Sequence, residues 1–169
     1  MRFHSGPVIR LADAKPMQLG HVIKADGRWR LLAFAAQDDT GHVGGGIGAL
    51  CRFLEQDPTS PLRRYRRAGE NIDARIDVRA VFQQGHRALS IEAMPALLLP
   101  QKGGLGLIDY EKIFCPDLKT GPNIFDLRGI DKANGAMVLV RPDQYVASVL
   151  PLDAYRKLAG FFDAFMLVA

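Results

Sequence analysis

The chain has 169 residues, enough for one compact domain with a real core and hardly for two. Hydrophobic residues make up 48% and charged residues 24%, and the net charge of +4 from 22 basic and 18 acidic side chains is too mild and dispersed to argue for nucleic acid. The opening MRFHSGPVIR has no apolar leader region, no apolar run approaches a membrane span, and Cys51 and Cys115 make neither a CxxC pair nor a disulfide framework, so a reduced, cytoplasmic setting is expected.

In chain order, "LGHVIKADGRWRLLAFA" sets Asp26-Gly27 between two apolar segments, the signal of a β-hairpin. Its second strand, Trp29 to Ala35, turns apolar on both faces, as a central strand does. A glycine-rich loop follows, and then Ile47, Leu50, Cys51, Phe53 and Leu54 recur at helical spacing, with Pro58 just past the end. Beyond the basic stretch Arg63-Arg64-Tyr65-Arg66-Arg67, "NIDARIDVRAVFQQG" alternates strictly. The spacing predicts a strand with one buried face and one solvated face carrying Asp73, Arg75, Asp77 and Arg79.

Residues 86 to 130 read as irregular. "DYEKIF" and "NIFDL" are expected as single helical turns, with Asp109 and Asn123 as their N-caps. "GAMVLV", "RPDQ" and "YVASVLPL" then predict a strand, a turn and a returning strand. Asp153 is the expected cap of a last helix whose Leu158, Phe161, Phe162, Phe165 and Met166 form one apolar stripe. Without the first strand the order is β-α-β-α-β-β-α, the connectivity of a thioredoxin-like α/β fold. The alternation itself requires only a mixed sheet flanked by helices.

"DDTGHVGGGIGAL" is the stretch that asks for chemistry. Gly44, Gly46 and Ala49 satisfy G-x-G-x-x-A between a strand and a helix, yet the position for a ribose-binding acid falls in the Arg63–Arg67 stretch. Asp38 and Asp39 oppose a pyrophosphate, and no Lys-Ser/Thr pair follows the glycines. A thiol-redox centre needs a reactive sulfur at the helix start. Thr40, His42 and Val43 stand there instead, Cys51 lies farther along on the apolar stripe, and no proline immediately precedes "GAMVLV". The reading is a bend eased by glycine, without chemistry.

Other candidates are weaker still. Arg63 to Arg67 reads as a solvated loop, having only Tyr65 for stacking. His4, His21, His42 and His86 show no ligand spacing. Asp109, Glu111, Cys115 and Asp117 gather in "DYEKIFCPD" as helix-end charge rather than as an acid–base pair. Ser60, Ser90 and Ser148 lack a nucleophile's elbow. From residues alone, no catalytic, cofactor-binding or metal-ligating residue is assigned.

"SGPVIRLADAKPMQLGHVI", "IDVRAVFQQGHRAL", "LIDYEKIFCPDL" and "GAMVLVRPDQYVASVLPLDAYRKLAGFFDAFM" together resemble the C-terminal domain of flavin-dependent aromatic hydroxylases of the phenol 2-monooxygenase family, within it the 3-hydroxybenzoate 4-monooxygenase branch. The resemblance spans nearly the whole chain and is most specific from Val138 to Phe162. It implies a thioredoxin-like fold without the CxxC motif, a structural and dimerisation role, and no catalytic residue. It also implies that FAD and NADPH are handled by preceding domains, which would be partners of this chain together with a second copy of it. Residues 1–24 are then an extended entry segment from those domains, and 25–169 the thioredoxin-like domain. A fragment acting by contact should leave apolar surface bare, expected at Val8 to Ile23 and at Ala93 to Leu107. The other reading is an autonomous thioredoxin-fold module for a small ligand or thiol exchange.

Overall fold

A computed structural model describes residues 1–168. The described residues hold nine strands and four α-helices: β1 (Pro7–Arg10), β2 (Lys15–Gln18), β3 (Trp29–Phe34), α1 (Gly46–Gln56), α2 (Pro61–Arg64), β4 (Ile76–Val81), β5 (Gln101–Lys102), β6 (Leu107–Ile108), β7 (Ile113–Pro116), α3 (Ile124–Arg128), β8 (Ala136–Val140), β9 (Val146–Leu150) and α4 (Tyr155–Asp163). Seven strands form one mixed sheet in the order β2-β1-β7-β4-β3-β8-β9, and β5 and β6 form a separate ribbon. β3 runs parallel to β4, and β4 to β7, while the outer pairings are antiparallel. The series β3-α1-β4-α3-β8-β9-α4 is the expected thioredoxin-like connectivity.

Alternation along the strands divides the apolar side chains between two cores. Leu31, Ala33, Val78, Ala80, Met137 and Leu139 meet Ile47, Leu50 and Leu54 of α1, Leu62 of α2, and Leu158 and Phe162 of α4. Leu32, Phe34, Val81, Phe114, Val138 and Val140 meet Ile124 and Phe125 of α3, with Phe3, Leu19 and Ile23 from the first residues. The end of α3 is set by Gly129. At φ +60 it adopts the left-handed conformation, its N–H reaching Asp126 O while that of Ile130 reaches Phe125 O. Asn123 caps that helix as expected, accepting from the N–H of Phe125 at 2.9 Å. No helix among the described residues is long and apolar enough to cross a membrane.

Four elements differ from expectation. The Asp26-Gly27 bend exists, with Gly27 at φ +80, but it joins no hairpin. Both edges of β3 are already taken by β4 and β8, so residues 19–22 close into a 3-10 turn and bury Leu19 in the second core. The hairpin of this region lies earlier, β1 against β2, and β1 pairs with β7, so residues 7–10 and 15–18 belong to the sheet. "DYEKIF" is not a helical turn. Asp109 accepts from the N–H of Glu111 in a side-chain turn, and Ile113 to Pro116 extend to pair with β1 and β4. Asp153 does not cap α4: the residue before the helix is Ala154, which makes no side-chain cap. Finally, β4 is buried on both faces, Asp77 and Arg79 included.

Candidate functional site

The start of α1 is where a strand, a glycine loop and a helix N-terminus converge, and an acid from the loop fills it. Asp39 is buried. Its Oδ1 accepts the N–H of Gly41 at 2.9 Å and its Oδ2 that of Ile47 at 2.7 Å, supplying a partner for a free amide in the first turn and negative charge at the positive end of the helix. The glycines make room for it. A Cβ on Gly45 would collide with the Asp39 carboxylate, and one on Gly46 would lie 2.8 Å from Leu152 Cδ2. A phosphate would have to displace a buried carboxylate here, so the cradle does not fit the pyrophosphate of FAD, the cofactor that the family resemblance implies for preceding domains. The charge of Asp39 is legible in the sequence, and its capping role is not. The available signal was an acid in the loop leading to a helix whose own N-cap, Gly45, has no side chain.

Both cysteines are free and buried. Burial pushes the Cys51 thiol far up, aided by Glu55 and Asp39, and raises Cys115 to about 11, aided by Asp117. Neither thiol has the character of a nucleophile.

The charged group hidden in β4 is a second constellation. Asp77 Oδ2 lies 3.0 Å from Arg30 Nε and 2.9 Å from Arg79 Nε, and its Oδ1 is 2.5 Å from Lys112 Nζ. Lys112 also reaches Asp73 at 2.8 Å, and Lys102 joins Asp73 to Asp109, each at 2.6 Å. Burial works to raise Asp73, but Lys112 and Lys102 outweigh it and hold the carboxyl at about 2; Asp77 and Asp109 are lowered in the same way against their own burial. Each buried charge has a partner of opposite sign, as a structural network requires. The arrangement ties β3, β4 and β7 to the base of the β5–β6 ribbon.

The remaining sequence candidates disperse. Glu111 points to Arg10 at 2.6 Å, and Asp117 accepts from Thr120. In the basic stretch, Arg64 pairs with Asp163 at 2.8 Å and Tyr65 donates to the same carboxylate, tying α2 to α4, while Arg63 donates to Gln56 O. Ser60 donates to Leu54 O and Ser90 to Glu92. Among the described residues no group of three or more His, Cys, Asp or Glu side chains could hold a metal ion.

Bare apolar surface occurs in only part of the expected places. Val8, Ile9, Leu19 and Ile23 are buried in the chain's own cores, as are Met94, Leu97 and Leu98. Of the two expected stretches, the part that stays bare is at the β5–β6 ribbon, with Leu105 87% and Leu107 67% exposed and Ile108 and Tyr110 beside them.

The sequence is 59% identical over 167 residues to 3-hydroxybenzoate 4-monooxygenase of Comamonas testosteroni, covering 98% of this chain and 26% of that protein. It is 29% identical to the FAD-dependent monooxygenase terD of Aspergillus terreus, covering 98% and 27%. The chain thus spans about a quarter of the length of the curated relatives it matches. Among solved structures it resembles a thiol-disulfide isomerase from Corynebacterium glutamicum (TM-score 0.51, 9% identity, 99% and 94% covered) and a putative protein disulfide isomerase from Bacteroides thetaiotaomicron (TM-score 0.52, 11% identity, 96% and 84% covered). These two share the thioredoxin-like fold. The family described as "Phenol hydroxylase, C-terminal dimerisation domain" matches residues 1–169, and the chain belongs to that family.

Proposed function

We propose that this chain is the non-catalytic C-terminal module of a flavin-dependent phenol or hydroxybenzoate monooxygenase, a cytoplasmic enzyme that hydroxylates a phenolic ring with NADPH and O₂. The module contributes no catalytic, cofactor-binding or metal-ligating residue. It acts by contact, packing on the preceding FAD and substrate domains and joining two copies, with neither nucleic acid nor membrane as a partner. Residues 1–24 lead in from those domains, and 25–169 complete the thioredoxin-like body. The observation that carries this reading is the buried Asp39 carboxylate on the first turn of α1. It takes the place at which this fold would present a thiolate or a phosphate. The same feature, with two protonated buried thiols, speaks against an autonomous ligand or thiol-redox module.

Two measurements test the proposal. Titration with FAD, followed by flavin fluorescence, should show no saturable quenching and no NADPH oxidation with added phenols. Light scattering over a concentration series, and co-expression with the flavin domains, should show self-association or capture. A chain that stays monomeric at high concentration and ignores those domains refutes the contact role.

A further inference from the structure

β9 is the outermost strand of the sheet on its side, held by β8 along one edge. At its beginning the other edge is already in use. The N–H of Phe3 donates to Gln144 O at 2.8 Å, that of Val146 donates to Met1 O at 2.9 Å, and Arg2 stands opposite Tyr145 in an antiparallel bridge. Two further contacts hold this first stretch, and a third anchors its partner Gln144. Phe3 is buried beneath the Arg128 guanidinium, 4.3 Å from the ring centroid. Arg2 donates to Gln144 Oε1 at 3.3 Å, and Gln144 Nε2 donates to Ile23 O at 3.1 Å. The path of Met1 to Phe3 along the start of β9 is therefore fixed. Farther along β9, Ala147 and Val149 are exposed, Val149 by 58%. An edge strand with exposed apolar side chains and unused backbone groups is a template for another strand.

We propose that the chain immediately preceding Met1 continues antiparallel along β9 as an eighth strand of the sheet. This inference rests on the reading above, in which flavin domains precede the chain. The bridge sets the direction: with Arg2 opposite Tyr145 and Met1 opposite Val146, the next residues upstream run past Ala147, which the pairing with β8 skips, toward Ser148, Val149 and Leu150. The connection is then a paired strand rather than a loose tether, and it delivers the flavin domains to the β9 side of the sheet. The β2 edge, at the other end of the strand order, remains for other contacts.

Amide hydrogen exchange on Ala147 to Leu150, beyond the Val146 N–H that Met1 already engages, tests this, comparing the 169-residue chain with the longer protein that contains it. The expected result is at least tenfold slower exchange in the longer protein, at all protein concentrations. Equal exchange in a protein that does carry upstream flavin domains overturns the strand and leaves the reading of the module intact. Slow exchange that appears in the short chain as its concentration rises assigns the edge to a second copy, and also overturns it. A reading frame with no flavin domains upstream overturns both.

Discussion

Arg30 and Asp77 stand opposite each other in the parallel register of β3 and β4, Arg30 Nε 3.0 Å from Asp77 Oδ2, with side chains only 1% and 0% exposed. The contact is an ion pair without the angle of a hydrogen bond, for Arg30 Nε makes none. Asp77 also faces Arg79 and Lys112, so removing its charge leaves buried Arg79 without its carboxylate and takes one partner each from Arg30 and Lys112, which keep Asp26 and Asp73. Asp77→Ala is expected to destabilise the fold by about 3–5 kcal/mol, the usual cost of orphaning a buried charge. Urea unfolding followed through the fluorescence of Trp29, the one tryptophan, measures it. A loss below about 1 kcal/mol would mean that water reaches the cluster freely.

Acid should act on the same network. Asp73 falls from an ordinary 3.8 to about 2 in the folded chain, and Asp77 and Asp109 are lowered too. A carboxyl depressed by folding contributes stability above its unfolded pKa and loses it as pH falls toward the folded value. Stability is therefore expected to be level with respect to these groups above pH 4 and to drop between pH 4 and 2, on the order of 2 kcal/mol from Asp73 alone. Urea midpoints at pH 6, 4 and 3 show whether it does.

Asp39→Ala removes the acceptor at the start of α1 and leaves the N–H groups of Gly41 and Ile47 without it. The expected loss is about 1–2 kcal/mol, with Asp39→Asn retaining part of it because an amide oxygen still accepts. Gly45→Ala should resemble Asp39→Ala, since its Cβ displaces the same carboxylate. If Gly45→Ala is neutral, the cap does not depend on that glycine.

Native protein at pH 8 should be nearly inert to a thiol-reactive dye and should titrate two thiols once unfolded. Both sulfurs are buried and their pKa values raised. Insulin reduction driven by dithiothreitol should stay at background. Turnover that disappears in Cys51→Ser would restore a redox role.

Leu105→Ser with Leu107→Ser changes exposed side chains on the β5–β6 ribbon and should leave the urea midpoint within about 0.5 kcal/mol. Light scattering or capture of the flavin domains should weaken. Unchanged association would move the contact surface elsewhere.

Local pattern was enough wherever it had no competitor. The α1 stripe from Ile47 to Leu54, the Arg141 to Gln144 turn between β8 and β9, and the Asn123 cap depend on residues a few positions apart, and each appears as read. Tertiary pairing decided the rest. Asp26-Gly27 has the chemistry of a hairpin turn, but β3 had no free edge to offer, and β1 found its partner in β7, about a hundred residues away. The charges of β4 alternate as if for water. Only the assembled sheet brings Arg30 and Lys112 to Asp77, and Lys112 with Lys102 to Asp73, so that those positions can be buried. Periodicity records which residues share a face of a strand. What covers that face, water or an opposite charge from a distant strand, is settled by long-range contact that no local pattern contains.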